Sequence, residues 1–382
     1  MSKTLIVAIY SHPEYYPPTL NALEYLSRDY DTIYLVHRNI TGFDWQYPPN
    51  VHLVSQKKLL PVREAEKTGF LKKIFWFASF TMLFFSLVRK HKPDTILFYD
   101  CMPLLSYRLF HFFMTKPNVL WYHNHDIADP AYLKKNSLTW WAWKSESWIF
   151  PKLDLFTLPA VERKTYFPME NLKGRFFFLP NFPSVKIYER YNNVKKDKNY
   201  LKILYQGSIG EQHGLEEIIP LLGTDTGQRE WQLILKGFID PVYLQRLQDL
   251  AKQYNVAGKL IYKGPGGYRE VIENAAGCHI GIGIHKKPDV MNKTLGTASN
   301  KIYEYAATGM PVLLYSNEHF KEHLGTYKWA FFTDCTASSL ITCLKEIVKD
   351  YENMSRQARN DFATSLNFEY YFMPLMKHLH KG

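Results

Sequence analysis

The segment SNKIYEYAATGMPVLLY, residues 299–315, decides the reading of the fold. Two polar residues, Ser299 and Asn300, precede a run that stops at Gly309. Ser and Asn are favoured helix N-caps, and Gly ends helices because it tolerates left-handed backbone. Pro311 then opens the apolar run PVLLY. The segment therefore predicts a helix capped by Ser299 or Asn300, ended at Gly309 and followed by a buried strand. Glu304 falls one turn after Asn300, so the two share a face near the helix start. That end carries partial positive charge and free N–H groups, which suit a diphosphate. A carboxylate one turn in can accept hydrogen bonds from ribose hydroxyls. A capped helix with an exposed glutamate is the plainer account of the same residues.

On both sides of this segment, strand-like and helical stretches alternate. The first half carries TLIVAIY (4–10), TIYLVH (32–37), TILFY (95–99), NVLWYH (118–123) and DLFTLPA (154–160). The second carries KILYQG (202–207), WQLILKG (231–237), KLIYKG (259–264), HIGIGI (279–284), PVLLY (311–315) and WAFFT (329–333). Short, near-continuous apolar runs are the mark of parallel strands covered on both faces. A helix starting at the prolines of YYPPTLNALEYLSR follows the first strand, since Pro fits a first turn. Two successive sets predict an α/β chain of two doubly wound, Rossmann-like units. The polar stretch 186–200 reads as the linker. This gives an N-terminal acceptor-side domain over 1–185, a C-terminal nucleotide-sugar domain over 201–365, and a last helix over 366–382 that packs back on the first domain. Ligands of open α/β sheets bind beyond the carboxyl ends of the strands, so an interdomain cleft is the expected site.

Composition narrows the partners. The 382 residues exceed what one core usually supports, and 46% are hydrophobic and 16% aromatic. The net charge is +11, with 22 Lys and Arg against 15 Asp and Glu in residues 1–185. A basic first half favours anionic partners, or serves solubility alone. No Lys/Arg tract or nucleic-acid motif accompanies it, so no nucleic-acid partner is expected. Cys101, Cys278, Cys335 and Cys343 form no CxxC pair and no zinc spacing, which predicts buried thiols in a reducing, cytoplasmic setting. Residues 5–10 are too short for a signal-peptide core. Ile74 to Val88 is nearly all apolar and flanked by Lys72, Lys73, Arg89 and Lys90. It falls short of the roughly 20 residues a spanning helix needs. It reads either as a buried domain helix or as a helix lying in a membrane interface.

The segment around Glu304 closely resembles the NKLYEYMAAGKPV signature of GT-B glycosyltransferases of the family-4, or group 1, kind. ILYQGSIGEQHGLEEII (203–219) resembles the opening of that family's donor-binding domain, FLPNFP (178–183) the close of its first domain, and LWYHNHDIADP (120–130) its acceptor-domain strand followed by an HD pair. The resemblance implies a GT-B fold and transfer of a sugar from a nucleoside diphosphate sugar to a hydroxyl, with retention. It implies that Glu304 binds ribose, that Asn300 and Lys301 lie near the diphosphate, and that Gly207, Ser208 and His213 form the phosphate loop. Family members carry cations where Ser208 and His213 stand, so Lys236 is a candidate replacement. Gly296 stands where many members have a second Glu. The first loop, SHPEYYPP (11–18), lacks the family's Gly-Gly, so Ser11 and His12 would serve. His125 would meet the donor sugar or leaving phosphate and Asp126 the acceptor, with His123 a competitor in a structural role.

The expected reaction needs positioning and charge stabilisation, which a helix N-terminus and lysines supply without metal. Asp29-Tyr30-Asp31 spells the DxD of metal-dependent glycosyltransferases but lies away from the expected ligand edge. A hexosyltransferase of surface polysaccharide or glycolipid synthesis, cytoplasmic and peripheral on the inner membrane face, is the leading expectation. An epimerase of GT-B-like fold and a non-catalytic sugar-nucleotide binder remain open.

Overall fold

The computed structural model describes residues 2–38, 45–55, 68–129, 131–225, 229–287 and 293–380. Pro130 of the HD segment and residues 381–382 of the last helix lie outside them. The chain divides into two compact units, Met1–Pro180 with Leu375–Gly382, and Asn181–Pro374.

The first unit contains β1 (Thr4–Ile9), β2 (Thr32–His37), β3 (Val51–Ser55), β4 (Thr95–Tyr99), β5 (Val119–His123), β6 (Leu155–Leu158) and β7 (Arg175–Phe178). All pair in parallel in the order β3-β2-β1-β4-β5-β6-β7. The order turns back between β1 and β4, which makes their carboxyl ends the expected crevice. β4 is buried along its whole length, as a strand covered on both faces must be. The short strands β3 and β7 at the two edges escaped the sequence reading. β3, VHLVS, is broken by polar residues and largely exposed, and β7, RFFF, is only four residues long.

Helix α1 (Pro17–Leu26) begins on its two prolines. Helix α2 (Phe70–His91) takes up the apolar run 74–88. It buries Phe80, Phe84 and Val88 in one cluster with Ile6, Val36, Ile96 and Phe98. Its opposite stripe, with Leu71, Phe75 and Met82, stays exposed. The helix is thus a domain helix on one face, and its other face meets no partner among the described residues. Helix α3 (Cys101–Phe110) packs beside it, and α4 (Leu138–Ile149) packs on α3. At the far end of the sheet, Asp31 Oδ2 accepts from the Lys3 amide at 2.7 Å and Tyr30 is buried. The Asp-Tyr-Asp triplet therefore clamps the start of β1, opposite the ligand edge. In the same unit the His378 ring packs on Phe177, and His380 Nε2 lies 3.0 Å from Asp29 Oδ1.

The second unit contains β8 (Tyr200–Ile209), β9 (Glu230–Ile239), β10 (Leu260–Tyr262), β11 (Ile280–Gly283), β12 (Val312–Tyr315) and β13 (Ala330–Thr333), ordered β10-β9-β8-β11-β12-β13 and again all parallel. Its switch point lies between β8 and β11. The stretch read as a linker forms a short helix, Val185–Tyr188, whose Tyr188 is buried in this unit against Phe362. The four cysteines are buried thiols.

The remaining helices used below are α5 (Pro241–Gln253), α6 (Tyr268–Ala276) and α7 (Asn300–Ala307). Ser299 occupies the N-cap position of α7, but its side chain makes no cap hydrogen bond, and Gly309 follows with φ of +69°. α7 lies close on β11 because β11 presents glycine. A Cβ at Gly281 would stand 2.2 Å from the Tyr305 ring. Gly281→Ala should therefore cost about 1–3 kcal/mol of stability through forced repacking. Urea midpoints would show it, and an unchanged midpoint would contradict this packing.

Candidate active site

Two clusters of polar groups stand at the two switch points. In the second unit, the second half of β8 runs Tyr205-Gln206-Gly207-Ser208-Ile209. Gly237 of β9 has φ of +144°, and a Cβ there would lie 1.8 Å from the Gly207 carbonyl oxygen, so only glycine allows the two strands to run so close. Gly207 and Ser208 are exposed. The ammonium of Lys301, one residue into α7, would lie 3.7 Å from a Cβ at Gly207. It donates to Tyr205 Oη at 2.8 Å and sits 4.2 Å from that ring's centroid.

Glu304 is 4% exposed, not the exposed glutamate of the plainer reading. Its Oε2 accepts from Gln206 Nε2 at 2.5 Å, and Tyr268 of α6 bonds the same carboxyl group. Burial pushes Glu304 up to about 7 against the pull of Tyr268, Gln206 and Lys301. Burial likewise brings Lys301 down to about 7. The two face each other at the foot of one helix, each driven toward its neutral form. The buried Gln206 Oε1 has no hydrogen-bond partner among the described residues.

His213 stacks on the other side of this cluster, its ring 4.6 Å from Tyr205. Its Nδ1 accepts from the Gly210 amide at 3.0 Å, which places the proton of the neutral ring on Nε2. Burial holds it down at about 3, so it is a neutral N–H donor rather than a cation. His285, not singled out in the sequence, meets His213 edge-on at 5.0 Å. Asn300 lies half-buried at the start of α7. Lys236 is different from expectation. It sits inside β9, fully buried, and its ammonium donates to the Glu270 carboxylate and to the carbonyls of Pro265 (3.3 Å) and Lys263 (3.5 Å). Its charge is matched within the fold, and Lys301 is the cation that stands over Gly207.

In the first unit, Asp100 follows β4 with φ of +63°, an uncommon conformation for a non-glycine residue. Its Oδ1 accepts from the amides of His125 (2.7 Å) and Asp126 (3.2 Å), so it shapes the turn after β5. Burial and the charge of Asp126 push Asp100 up to about 8. Arg163, buried, donates from Nη1 to the His125 carbonyl at 2.6 Å. The His125 ring is stacked between Tyr16 (4.7 Å) and Tyr99 (4.8 Å). Its Nε2 is 2.9 Å from Thr19 Oγ1 and its Nδ1 3.1 Å from His123 Nε2, while His123 Nδ1 is 2.8 Å from Thr157 Oγ1. His125 is 2% exposed, and burial holds it well below its usual range. It can reach a ligand only by exchanging Thr19. Asp126 is exposed, with Oδ2 accepting from Tyr16 Oη at 3.3 Å. Ser11 is half-buried beside β1, and His12 is buried and held at about 4 by that burial. Asp100, Thr19 and Arg163 were missed because they act through partners distant in sequence, although Asp100 stands in the legible place after a strand.

The second-unit cluster has a pH signature. Lys301 is depressed toward neutrality, so it is charged below about 7 and neutral above. Affinity for a nucleoside diphosphate should fall as pH rises through about 7, with proton uptake on binding, and Lys301→Met should flatten the profile. Calorimetry in buffers of different ionisation enthalpy measures this; a flat wild-type profile would contradict it.

No family model matches the chain, and no curated protein matches it in sequence. Solved structures match it along its whole length. A glycosyltransferase from Rickettsia africae superposes with a TM-score of 0.68 at 12% identity, over 98% of this chain and 97% of that one. HepE from Anabaena, in complex with UDP-glucose, gives 0.65 at 13% identity over 99% and 100%. Sucrose-phosphate synthase from Thermosynechococcus elongatus gives 0.64 at 12% identity over 99% and 98%. With parallel sheets of seven and six strands, each doubly wound, the chain has the GT-B fold.

Proposed function

We propose that the chain is a glycosyltransferase that moves a sugar from a nucleoside diphosphate sugar to a hydroxyl acceptor. The observation that carries the reading is the Glu304, Gln206, Lys301 and Tyr205 cluster beside Gly207, at the switch point of a GT-B unit. The complexes of HepE with UDP and with UDP-glucose support a nucleotide-sugar donor. On this reading Glu304 takes the ribose hydroxyls in exchange for Gln206. Lys301, the N-terminus of α7 with Asn300, and the Gly207–Ser208 backbone take the diphosphate. The His213 N–H adds a neutral donor.

Catalysis rests on charge gathered where the leaving diphosphate gains it, with Lys301 taking up its proton as the diphosphate binds and before the sugar is transferred. On the acceptor side, Asp126 orients or accepts from the attacking hydroxyl, and the stacked His125 holds the turn and becomes a ligand contact on release of Thr19. Ser11 and His12 line the same edge. We assign retention, a hexosyl donor, and an acceptor in surface polysaccharide or glycolipid synthesis at the inner membrane face.

A thermal-shift screen against UDP-, GDP-, dTDP- and ADP-sugars tests the reading. A ligand at 100 times its dissociation constant adds about 2.7 kcal/mol to stability. One base should give a clear shift, and Glu304→Gln should lose most of it while folding normally. Asp126→Asn should keep the shift and lose about 100-fold or more in turnover, as loss of a positioned acid–base group does. No shift from any nucleotide sugar would sink the proposal. A shift with conversion of the donor alone would favour an epimerase.

A further inference from the structure

The exposed stripe of α2 has no partner among the described residues. Leu71 is 81% exposed and Phe75 69%, with Phe70 and Met82 also largely in water. Residues 71, 75, 78 and 82 recur at helical spacing, so they form one continuous face rather than scattered singles. A helix apolar all round belongs in a core or in lipid. Here one stripe already has its core, and the other is left over. Continuous exposed apolar surface of this kind marks a binding face.

Two further observations say what covers it. First, the face is extended by a neighbour. Phe77 of α2 and Ala142 of α4 both pack on Cys101 and Leu105 of α3, so the first halves of α2 and α4 flank the start of α3. Trp141, next to Ala142, is 48% exposed. Second, the exposed charges that α2 and α4 carry have one sign. Lys72 and Lys73 stand at the start of α2, and Arg89 and Lys90 at its end, with no acidic residue between Phe70 and His91. On α4, Lys144 is exposed while the one acid, Glu146, is buried and bonded to Tyr122. The Lys144 ammonium lies 4.9 Å from the half-buried Trp143 ring, and Lys72 covers the buried Trp76 at 5.3 Å, so cations lie against aromatic rings along this surface.

Large apolar side chains ringed by lysine, with indoles beside them, fit the boundary between acyl chains and anionic headgroups. A folded protein partner of the same chemistry would need acids, and would leave the phenylalanines no deeper medium to enter. We infer that the first half of α2, together with the exposed edge of α4, is a docking face for an anionic phospholipid surface. The buried stripe keeps α2 on its sheet, so the contact is interfacial and does not span the bilayer.

The docking face lies at the ligand edge. Tyr10, directly after β1, packs edge-on to Phe77 and Phe80 at 5.5 and 5.0 Å, and Arg38 lies 4.9 Å from its ring. Ser11 is the next residue. A membrane on this face would therefore stand beside the edge assigned to the acceptor. That last step rests on the proposed function, whereas the docking itself does not.

Flotation of the full chain with phosphatidylcholine vesicles, with and without phosphatidylglycerol, tests the docking. Binding should require phosphatidylglycerol and weaken with salt. The double variant Leu71→Ser, Phe75→Ser should bind about tenfold or more weakly, because serine has no apolar side chain to insert among the acyl chains. Both positions are exposed, so its melting temperature should match the wild type. Lys72→Gln with Lys73→Gln should lower binding to anionic vesicles only. No flotation of wild type on anionic vesicles would overturn the inference, as would undiminished binding by the serine variant. A wild-type dimer abolished by the serine changes, without vesicle binding, would assign the face to a second copy instead. Nucleotide-sugar thermal shifts are read separately on the same variants, so failure of docking and failure of the transfer reading give different results.

Discussion

The cluster at the second unit's switch point depends on two opposite ionisable groups held out of water on one short helix. Glu304 and Lys301 project from α7 toward the end of β8, where Gln206 and Tyr205 receive them. Leaving either without a partner would cost several kcal/mol, so the four residues form a unit. Their positions follow from glycine. Gly281 brings α7 onto β11, and Gly237 lets β9 run against Gly207. A side chain at any of these points would move the helix or open the strands, and the cluster would lose its geometry. Burial also leaves both groups near neutrality, which makes them sensitive to a ligand. A diphosphate beside Lys301 restores its charge, and ribose hydroxyls can replace the amide of Gln206.

The first unit solves a related problem by different means. Its edge is shaped by Asp100, whose unfavourable backbone is held by amide hydrogen bonds from His125 and Asp126. Strain of this kind persists where surroundings over-determine it. Stacking between two tyrosines and hydrogen bonds at both nitrogens fix His125. Asp126 is thereby presented to water on a rigid turn while the imidazole beneath it stays neutral. Lys236 differs: a fully buried lysine matched by Glu270, it supports the loop after β10, and on the proposed function anion binding falls to Lys301.

Most of the architecture was legible in the sequence, because parallel strands covered on both faces write themselves as apolar runs. All six strands of the second unit and five of seven in the first appear there, while β3 is interrupted by His52 and Ser55 and β7 spans only four residues. Glu304 and Lys301 were legible through a local pattern. Their partners were not: Gln206 lies 98 residues from Glu304, and no periodicity joins them. The same limit hid Asp100 and Thr19 from His125. It also let Lys236 pass for a free cation, since pairing with Glu270 is a property of the folded loop. The run 74–88 supported two readings because α2 has two apolar stripes, and only packing tells which one the core takes.

The most direct test of this account is a crystal structure of the chain with a nucleoside diphosphate. The account predicts the diphosphate at the start of α7 within reach of Lys301 and the Gly207–Ser208 backbone, with a ribose hydroxyl on Glu304 in place of Gln206. A nucleotide bound instead in the groove of about 910 Å³ lined by Val242, Arg246 and Tyr254 along α5 would contradict it. So would ribose density with Glu304 still bonded to Gln206.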